Sequence, residues 1–224
     1  LRPTVKSENT MKRLSFVFIF SLIALLSVAQ AKYVFFFIGD GMGPHQVLAT
    51  EMYLAELDGK VGRKSLLMTT FPYSGQVATF SASSGITDSA ASGTCLATGK
   101  KTKNGMIGQT PDSVAVVSVA ARLKEEGWGV GIMTSVTIDH ATPSSFYAQT
   151  PSRNNYYVIG TQLAESGFDF FGGSGFYHPQ DKTNSQAPNL YDLCEENGYV
   201  LAGGYVDAKA KIGAKKMLLV PEER

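Results

Sequence analysis

The chain has 224 residues, of which 44% are hydrophobic and 17% charged, with 20 Lys and Arg against 19 Asp and Glu. That near-neutral balance excludes a strongly basic surface of the kind that draws a protein to nucleic acid or to an anionic membrane. The length is enough for one domain with a sizeable core.

The N-terminal residues stand apart from any fold. Met11 is followed by Lys12 and Arg13, then by the apolar run "LSFVFIFSLIALLSV", and the segment ends in Ala29-Gln30-Ala31. A positive start, an apolar stretch and a small-x-small site together read as a secretory signal peptide over residues 11 to 31. The rival reading is a membrane anchor, but a span needs about 20 apolar residues and this run is shorter. No cysteine precedes Cys95, which excludes a lipidated cysteine at the junction. Residues 1 to 10 lie ahead of a better start at Met11 and read as an upstream translation artefact. An exported, periplasmic or extracellular protein is expected, with residues 32 to 224 forming the domain.

Strand and helix patterns then alternate. "YVFFFI" (33 to 38) is a continuous apolar run, as in a strand buried on both faces. Residues 44 to 57 have helical spacing, and "SGQVATF" (74 to 80) resembles a second strand. A helix is expected after Thr87 or Asp88 as its cap, ending near Gly99. "SVAVVSVAARLKEEG" (113 to 127) predicts a helix capped by Asp112 or Ser113 and stopped by Gly127. The strand "VGIMTSV", a helix from about Pro151 to Glu165 closed by Gly167, and the strand "FDFFGG" follow. A helix near "NLYDLCEENG" and a strand "KMLLV" complete the order. This alternation predicts an α/β fold with a mainly parallel sheet sandwiched by helices, a three-layer α/β/α arrangement. The sequence stops just after its last strand, which suggests a domain that is C-terminally incomplete. Cys95 and Cys194 could pair in an oxidising compartment or remain buried thiols, and spacing leaves both open. Trp128 and the Phe run are expected in the core.

In such sheets ligands bind at the carboxyl ends of the strands, and three polar clusters fall there. "IGDGMG" places Asp40 among glycines that let the backbone turn tightly. It does not fit the dinucleotide fingerprint. "TDSAASGT" puts Asp88 and Ser89 at a helix mouth, where backbone N–H groups lack partners and an anion is welcome. "TIDHATPSSFYAQTPSR" brings His140, Thr142 and Arg153 after a strand. His45 reads as a surface residue of its helix, Lys100, Lys101 and Lys103 as a solvated helix end, and "FGGSGF" as a strand-end turn.

In order and separation, "IGDGMG", "TDSAASGT" and "DHATPSSFYAQTPSR" resemble the alkaline phosphatase family, from about Tyr33 to "FFGGSGF" and more thinly to the end. The resemblance implies an alkaline-phosphatase-like fold and hydrolysis of phosphate monoesters through a phosphoserine, with two zinc ions and one magnesium. It implies Ser89 as nucleophile, Asp88 as the acid that orients the arginine, and Arg153 as the clamp on the phosphate. Asp40 matches a zinc- and magnesium-bridging aspartate and Thr142 a magnesium ligand. His140 stands where some members carry Asp and others His, and imidazole suits zinc better than magnesium. The partners implied are a phosphate monoester and inorganic phosphate, and homodimers are common in the family.

The chemistry is consistent with those residue types. A phosphate monoester dianion repels nucleophiles, so cations must surround it, and two metals about 4 Å apart can serve both the attacking and the leaving oxygen. Serine needs activation to attack at neutral pH. Arginine offers two parallel N–H bonds to phosphate oxygens. The family's remaining His, Asp and Glu ligands come from its second half, whereas this sequence has three histidines, only one of them in a matching motif. The expectation is therefore an N-terminal portion that is inactive alone. One rival is a sulfatase, phosphodiesterase or phosphomutase of the same superfamily, although Ser89 lacks the C/S-x-P-x-R context of sulfatases. The other is a non-catalytic phosphate-binding fragment.

Overall fold

Four short strands form one parallel sheet among residues 32–222, the part of the chain that the computed structural model describes. They are β1 (Gly131–Met133), β2 (Phe170–Gly172), β3 (Val200–Gly203) and β4 (Met217–Val220). The spatial order is β1-β2-β4-β3, so the last strand inserts between the two before it. In register, Phe171 lies between Ile132 and Leu218, and Leu218 also faces Leu201. Parallel neighbours need crossovers, and helices supply them. In chain order the helices are α1 (Pro44–Leu57), α2 (Ser89–Thr98), α3 (Val119–Glu125), α4 (Ala141–Ser144), α5 (Tyr156–Glu165), α6 (Leu190–Glu196) and α7 (Gly204–Ala210). A 3-10 turn spans Leu67–Thr70. The fold is α/β, a parallel sheet with helices packed on it.

The core is aromatic. Phe171 is fully buried and meets Tyr147 edge-on at 5.3 Å, Phe168 stacked at 5.9 Å and Tyr199 at 5.9 Å. Burying one such ring stabilises by roughly 1.5–3 kcal/mol. The hydroxyls inside this core are satisfied: Tyr147 donates to the Ile138 carbonyl and Tyr199 to that of Phe168. Cys194 lies in the same core as a free thiol that burial pushes up to about 12, and Cys95 is half-buried and also free. Gly160 brings α5 onto α6, since a Cβ there would lie 2.2 Å from Leu190 Cδ1.

The chain divides into two units, residues 1–41 and 42–224. The signal-peptide segment and residues 1 to 10 lie outside the described residues. In the first unit residues 33 to 38 form no strand, and Phe35 and Phe37 are 78% and 87% exposed. The run has the residue types of a buried strand but enters no ladder, and a strand persists only where its N–H and C=O groups are paired. The Phe run is therefore not core, and Trp128 is only half-buried.

Residues 74 to 80 in the second unit are likewise exposed and unpaired in any sheet, with Val77 and Phe80 in solvent. The helix expected over 113 to 127 begins only at Val119, capped by the Ser118 hydroxyl on the Ala121 N–H. The preceding residues turn back instead. Ser113 sits at φ 63, the Val116 N–H bonds the Gly108 carbonyl, and Ala115 bridges Gln109. Alternating β-branched valines favour that small hairpin over a first helical turn. The expected helix from Pro151 starts at Tyr156, because the backbone before it is drawn off, with the Arg153 N–H on the Gly105 carbonyl. Strand β3 and helix α7 are additions to the predicted order.

Asp169 ties α3 to both β1 and β2. It accepts from Lys124 Nζ at 2.7 Å and from the Val130 N–H at 2.8 Å, and its own N–H returns to the Val130 carbonyl. Burial pushes its carboxyl up, but the Lys124 hydrogen bond, the Val130 N–H and the lysine charge outweigh that and hold it below its ordinary value. A carboxyl lowered in the fold stabilises fully above its unfolded pKa of about 4 and loses that contribution as pH falls through the folded value. Urea midpoints measured from pH 7 down to pH 3 should therefore fall less for Asp169→Asn than for the unaltered protein. Parallel pH profiles would rule out the ion pair as an acid-sensitive support.

Candidate active site

Strands β1 and β2 run in parallel, so their carboxyl ends lie on one edge, where the loops beyond them are stitched together. The Thr134 N–H bonds the Gly172 carbonyl, Ser174 bonds Val136, and Ile138 bonds Gly175. "FGGSGF" is the strand-end turn expected at this edge. From it the chain runs through Asp139 to His140, the N-terminal flank of α4.

Helix α2 is packed on α4 through Gly93. A Cβ at Gly93 would sit 2.6 Å from Ser145 Oγ and 3.1 Å from its Cβ, so a side chain there would displace Ser145. Ser145 Oγ also donates to the carbonyls of Ala141 at 2.8 Å and Ala90 at 3.5 Å. This contact brings the segment of His140 and Thr142 alongside the helix that Ser89 begins.

Asp88 is the N-cap of α2. One carboxylate oxygen accepts from the Ala91 N–H at 2.9 Å; the other accepts from the Gly105 N–H at 3.0 Å and from Arg153 Nη1 at 3.1 Å. Asp88 and Arg153 side chains are each 26% exposed, so water reaches the pair from one side. Ser89 is the first helical residue and is half-buried. The other hydroxyls of the stretch serve the helix: Ser92 donates to the Asp88 carbonyl at 2.8 Å, Thr98 to that of Thr94, and Thr94 is fully buried.

The structure thus brings Asp88, Ser89 and Arg153 together, and places His140 as the N-cap and Thr142 as the second residue of the neighbouring short helix. Asp40 belongs to the first unit, where it is exposed in a turn with Gly41 at φ 67. His45 is exposed on α1, and Lys101 reaches the Phe80 carbonyl and ring. His140 Nδ1 is buried with no hydrogen-bond partner. A buried imidazole nitrogen left unpaired costs free energy unless a cation or ordered water meets it, so this atom fits a metal or a metal-bound water. Among the described residues no group of three or more His, Cys, Asp or Glu could hold a metal ion. The residues present leave one imidazole nitrogen open to a cation and do not make up the ligand set of two zincs.

Two further participants escaped sequence reasoning. Asn104 accepts the Asp88 N–H through Oδ1 and donates to the Ile86 carbonyl, fixing the chain as it enters α2. The Asn-Gly pair at 104 and 105 is a turn signal that would have flagged it. Asp139 is fully buried, and its carboxyl, pushed up by burial and pulled back by hydrogen bonds from Thr137 and the Tyr177 N–H, sits beside His140.

A parallel sheet with helices packed on it and a carboxylate-braced arginine beside a helix mouth makes this an α/β domain of the kind whose sites lie in the loops beyond the strands. The chain belongs to the alkaline phosphatase family, whose sequence pattern matches residues 31–168. It is 34% identical over 137 residues to the tissue-nonspecific isozyme of alkaline phosphatase from Gallus gallus, covering 56% of this chain and 26% of that protein. The Homo sapiens isozyme is 32% identical over 58% of this chain and 27% of its own length. The structure superposes on the alkaline phosphatase of the Antarctic bacterium TAB5 with a TM-score of 0.69 and 27% identity, covering 81% of this chain and 50% of that one. A variant of the TAB5 enzyme with a histidine changed to aspartate, solved with magnesium in its M3 site, superposes at 0.66 with 26% identity over 78% of this chain and 50% of its own. The chain thus spans about a quarter of the length of these curated relatives and half of the solved chains.

The Asp88 carboxylate should be the main brace of this corner. Asp88→Ala should lower unfolding stability by about 1–3 kcal/mol in urea at pH 7, through loss of the cap and of the charged hydrogen bonds. Asp88→Asn, which keeps an acceptor for the Ala91 N–H, should lose less.

Proposed function

We propose that the protein of which these residues form the site hydrolyses phosphate monoesters, with Ser89 as the nucleophile that becomes phosphorylated. The observation that carries this reading is the Arg153–Asp88 pair held over the first turn of α2, next to Ser89. Family membership supports the reaction class, and the geometry supports the division of labour.

The substrate phosphate sits at the α2 mouth, where backbone N–H groups and the helix dipole attract it. Arg153 gives one N–H to Asp88, and its five-donor fork retains capacity for two parallel bonds to phosphate oxygens. Asp88 fixes the plane of that fork. Ser89 Oγ attacks phosphorus from the helix side, the ester P–O bond breaks, and the alcohol leaves with the proton. Water then attacks the phosphoserine and releases inorganic phosphate. A cation at His140 and Thr142, when bound, adds positive charge beside the reacting phosphoryl group; solved TAB5 variants that exchange a histidine for an acid and hold magnesium support a metal role for such a position. Two zincs and a magnesium are the proposed complement in a protein of the relatives' full length, and Asp40 is proposed as a ligand there. The apolar segment at 11 to 31 supports export to the periplasm or beyond.

In the full-length protein, trapping with labelled phosphate at acid pH should modify Ser89, and Ser89→Ala should abolish the label. Label that persists in Ser89→Ala and maps to Ser92 or Thr94 would move the nucleophile elsewhere.

Arg153→Ala should weaken competitive inhibition by inorganic phosphate roughly ten- to hundredfold, the range expected for one charge-assisted contact, while zinc content stays unchanged. An unaltered inhibition constant would remove Arg153 from the phosphate site.

A further inference from the structure

Three rings that the chemistry above does not use stand together at the same edge of the sheet. Tyr156 opens α5, three residues after Arg153, and Tyr177 and His178 lie in the loop that leaves β2. The ring centroids of Tyr156 and Tyr177 are 4.7 Å apart at an interplanar angle of 50°. His178 stands 4.3 Å from Tyr177 and meets Tyr156 edge-on at 5.5 Å.

Both backbones carrying this cluster are anchored on the candidate site. The Tyr177 N–H donates to Asp139, the residue before His140, at 2.9 and 3.1 Å from its two oxygens. Arg153 is pinned to Asp88 by its guanidinium and to Gly105 by its N–H, and three residues of chain reach at most about 11 Å, so the Tyr156 Cα lies within that distance of the Arg153 Cα. One ring of the cluster thus follows Arg153 in the chain, and another is hydrogen-bonded through its backbone to the residue before His140.

The rings do not serve the core. Neither tyrosine belongs to the hydrophobic cluster, and Tyr177 is 57% exposed although it already stacks on two neighbours. Lys182 Nζ, 3.0 Å from His178 Nε2, ties the cluster to the following loop. A half-open set of aromatic faces on segments tied to Arg153 and to Asp139 is suited to another flat ring, because offset and edge-to-face contacts between rings are favourable beyond their buried area.

We propose that Tyr156, Tyr177 and His178 form the leaving-group subsite and favour phosphate esters whose alcohol carries an aromatic ring over aliphatic ones. The proposal rests on the phosphomonoesterase reading given above. Arg153 and Ser89 take the phosphoryl group, which is common to all esters, and the ring cluster takes the part that differs.

The test compares phenyl phosphate with glycerol 2-phosphate in the full-length protein supplied with zinc and magnesium. Tyr156→Leu and Tyr177→Leu should each lower kcat/KM for phenyl phosphate roughly two- to tenfold and leave that for glycerol 2-phosphate unchanged. Tyr177→Phe, which keeps the ring, should retain the unaltered selectivity. Inhibition by phenylphosphonate should weaken in the Leu variants by the same factor, and inhibition by methylphosphonate should not. Equal loss on both esters, or no loss on either, would show that the rings are packing only. Hydrolysis of neither ester by the unaltered protein would instead overturn the phosphatase reading itself, and the subsite with it.

Discussion

One carboxylate sets the site. Asp88 lies at the start of α2 and collects N–H groups from three separate segments: Ala91 within the helix, Gly105 in the following turn, and the Arg153 guanidinium 65 residues away. Each hydrogen bond to a charged group is worth about 1.5–3 kcal/mol where it is shielded from water, and partial exposure here lowers that figure. The geometric effect outlasts the energetic discount. With its two oxygens committed to different segments, the carboxylate cannot rotate without giving up one of them. The arginine plane and the helix mouth are therefore oriented by a single group.

Close backbone approach provides the second constraint. Gly93 lets α2 lie against the Ala141–Ser144 turn, and Ser145 Oγ fastens the two by donating to Ala90 and Ala141 carbonyls. The small residues of "SAASGT" thus serve two ends. Ala90, Ala91 and Gly93 are buried against the rest of the domain, while Ser89 keeps a half-exposed position at the mouth. A larger residue on the inner face would push the helix that Ser89 begins away from the His140 segment.

How far the sequence could be read follows from what each element depends on. Helix α2 was legible to within a residue, since of the two caps expected, Thr87 and Asp88, the structure uses Asp88, and Gly99 takes the left-handed conformation after the last turn; capping is a local interaction. The order β1, α5, β2, α6, β4 was legible because each element carries its own apolar pattern between glycine stops. The runs at 33 to 38 and 74 to 80 were misread, since β-branched and aromatic content reports suitability for a sheet and not the presence of a neighbouring strand. The valines at 114, 116 and 117 fit a helix count but were claimed by the Gly108–Val116 hairpin, a contact that periodicity does not see. The candidate residues at 88, 89, 140, 142 and 153 stood out as motifs after apolar runs. Asn104 and Asp139 did not, because they act through tertiary hydrogen bonds, Asn104 on the Asp88 N–H and Asp139 on the Tyr177 N–H.

In the proposed reaction, recognition of the phosphate is separate from its activation. Recognition needs a positive, correctly oriented fork and a helix mouth, and both are assembled from residues 86 to 153 by hydrogen bonds that the chain makes with itself. Activation needs cations at the attacking and leaving oxygens, which demands several anionic or imidazole donors converging on points a few ångströms apart. Among the described residues the buried side-chain atoms left unpaired are His140 Nδ1 and Gln109 Oε1, and of these the imidazole nitrogen lies in the candidate site. An unpaired imidazole nitrogen is costly to keep, whereas Asp139, buried one residue earlier, has its oxygens turned to the Tyr177 N–H. The two neighbours therefore divide the local polarity: Asp139 spends its acceptors on holding the loop after β2, and His140 keeps Nδ1 for a ligand. That division accounts for an acidic residue next to a candidate metal donor being spent on structure, where it holds the loop that carries Tyr177.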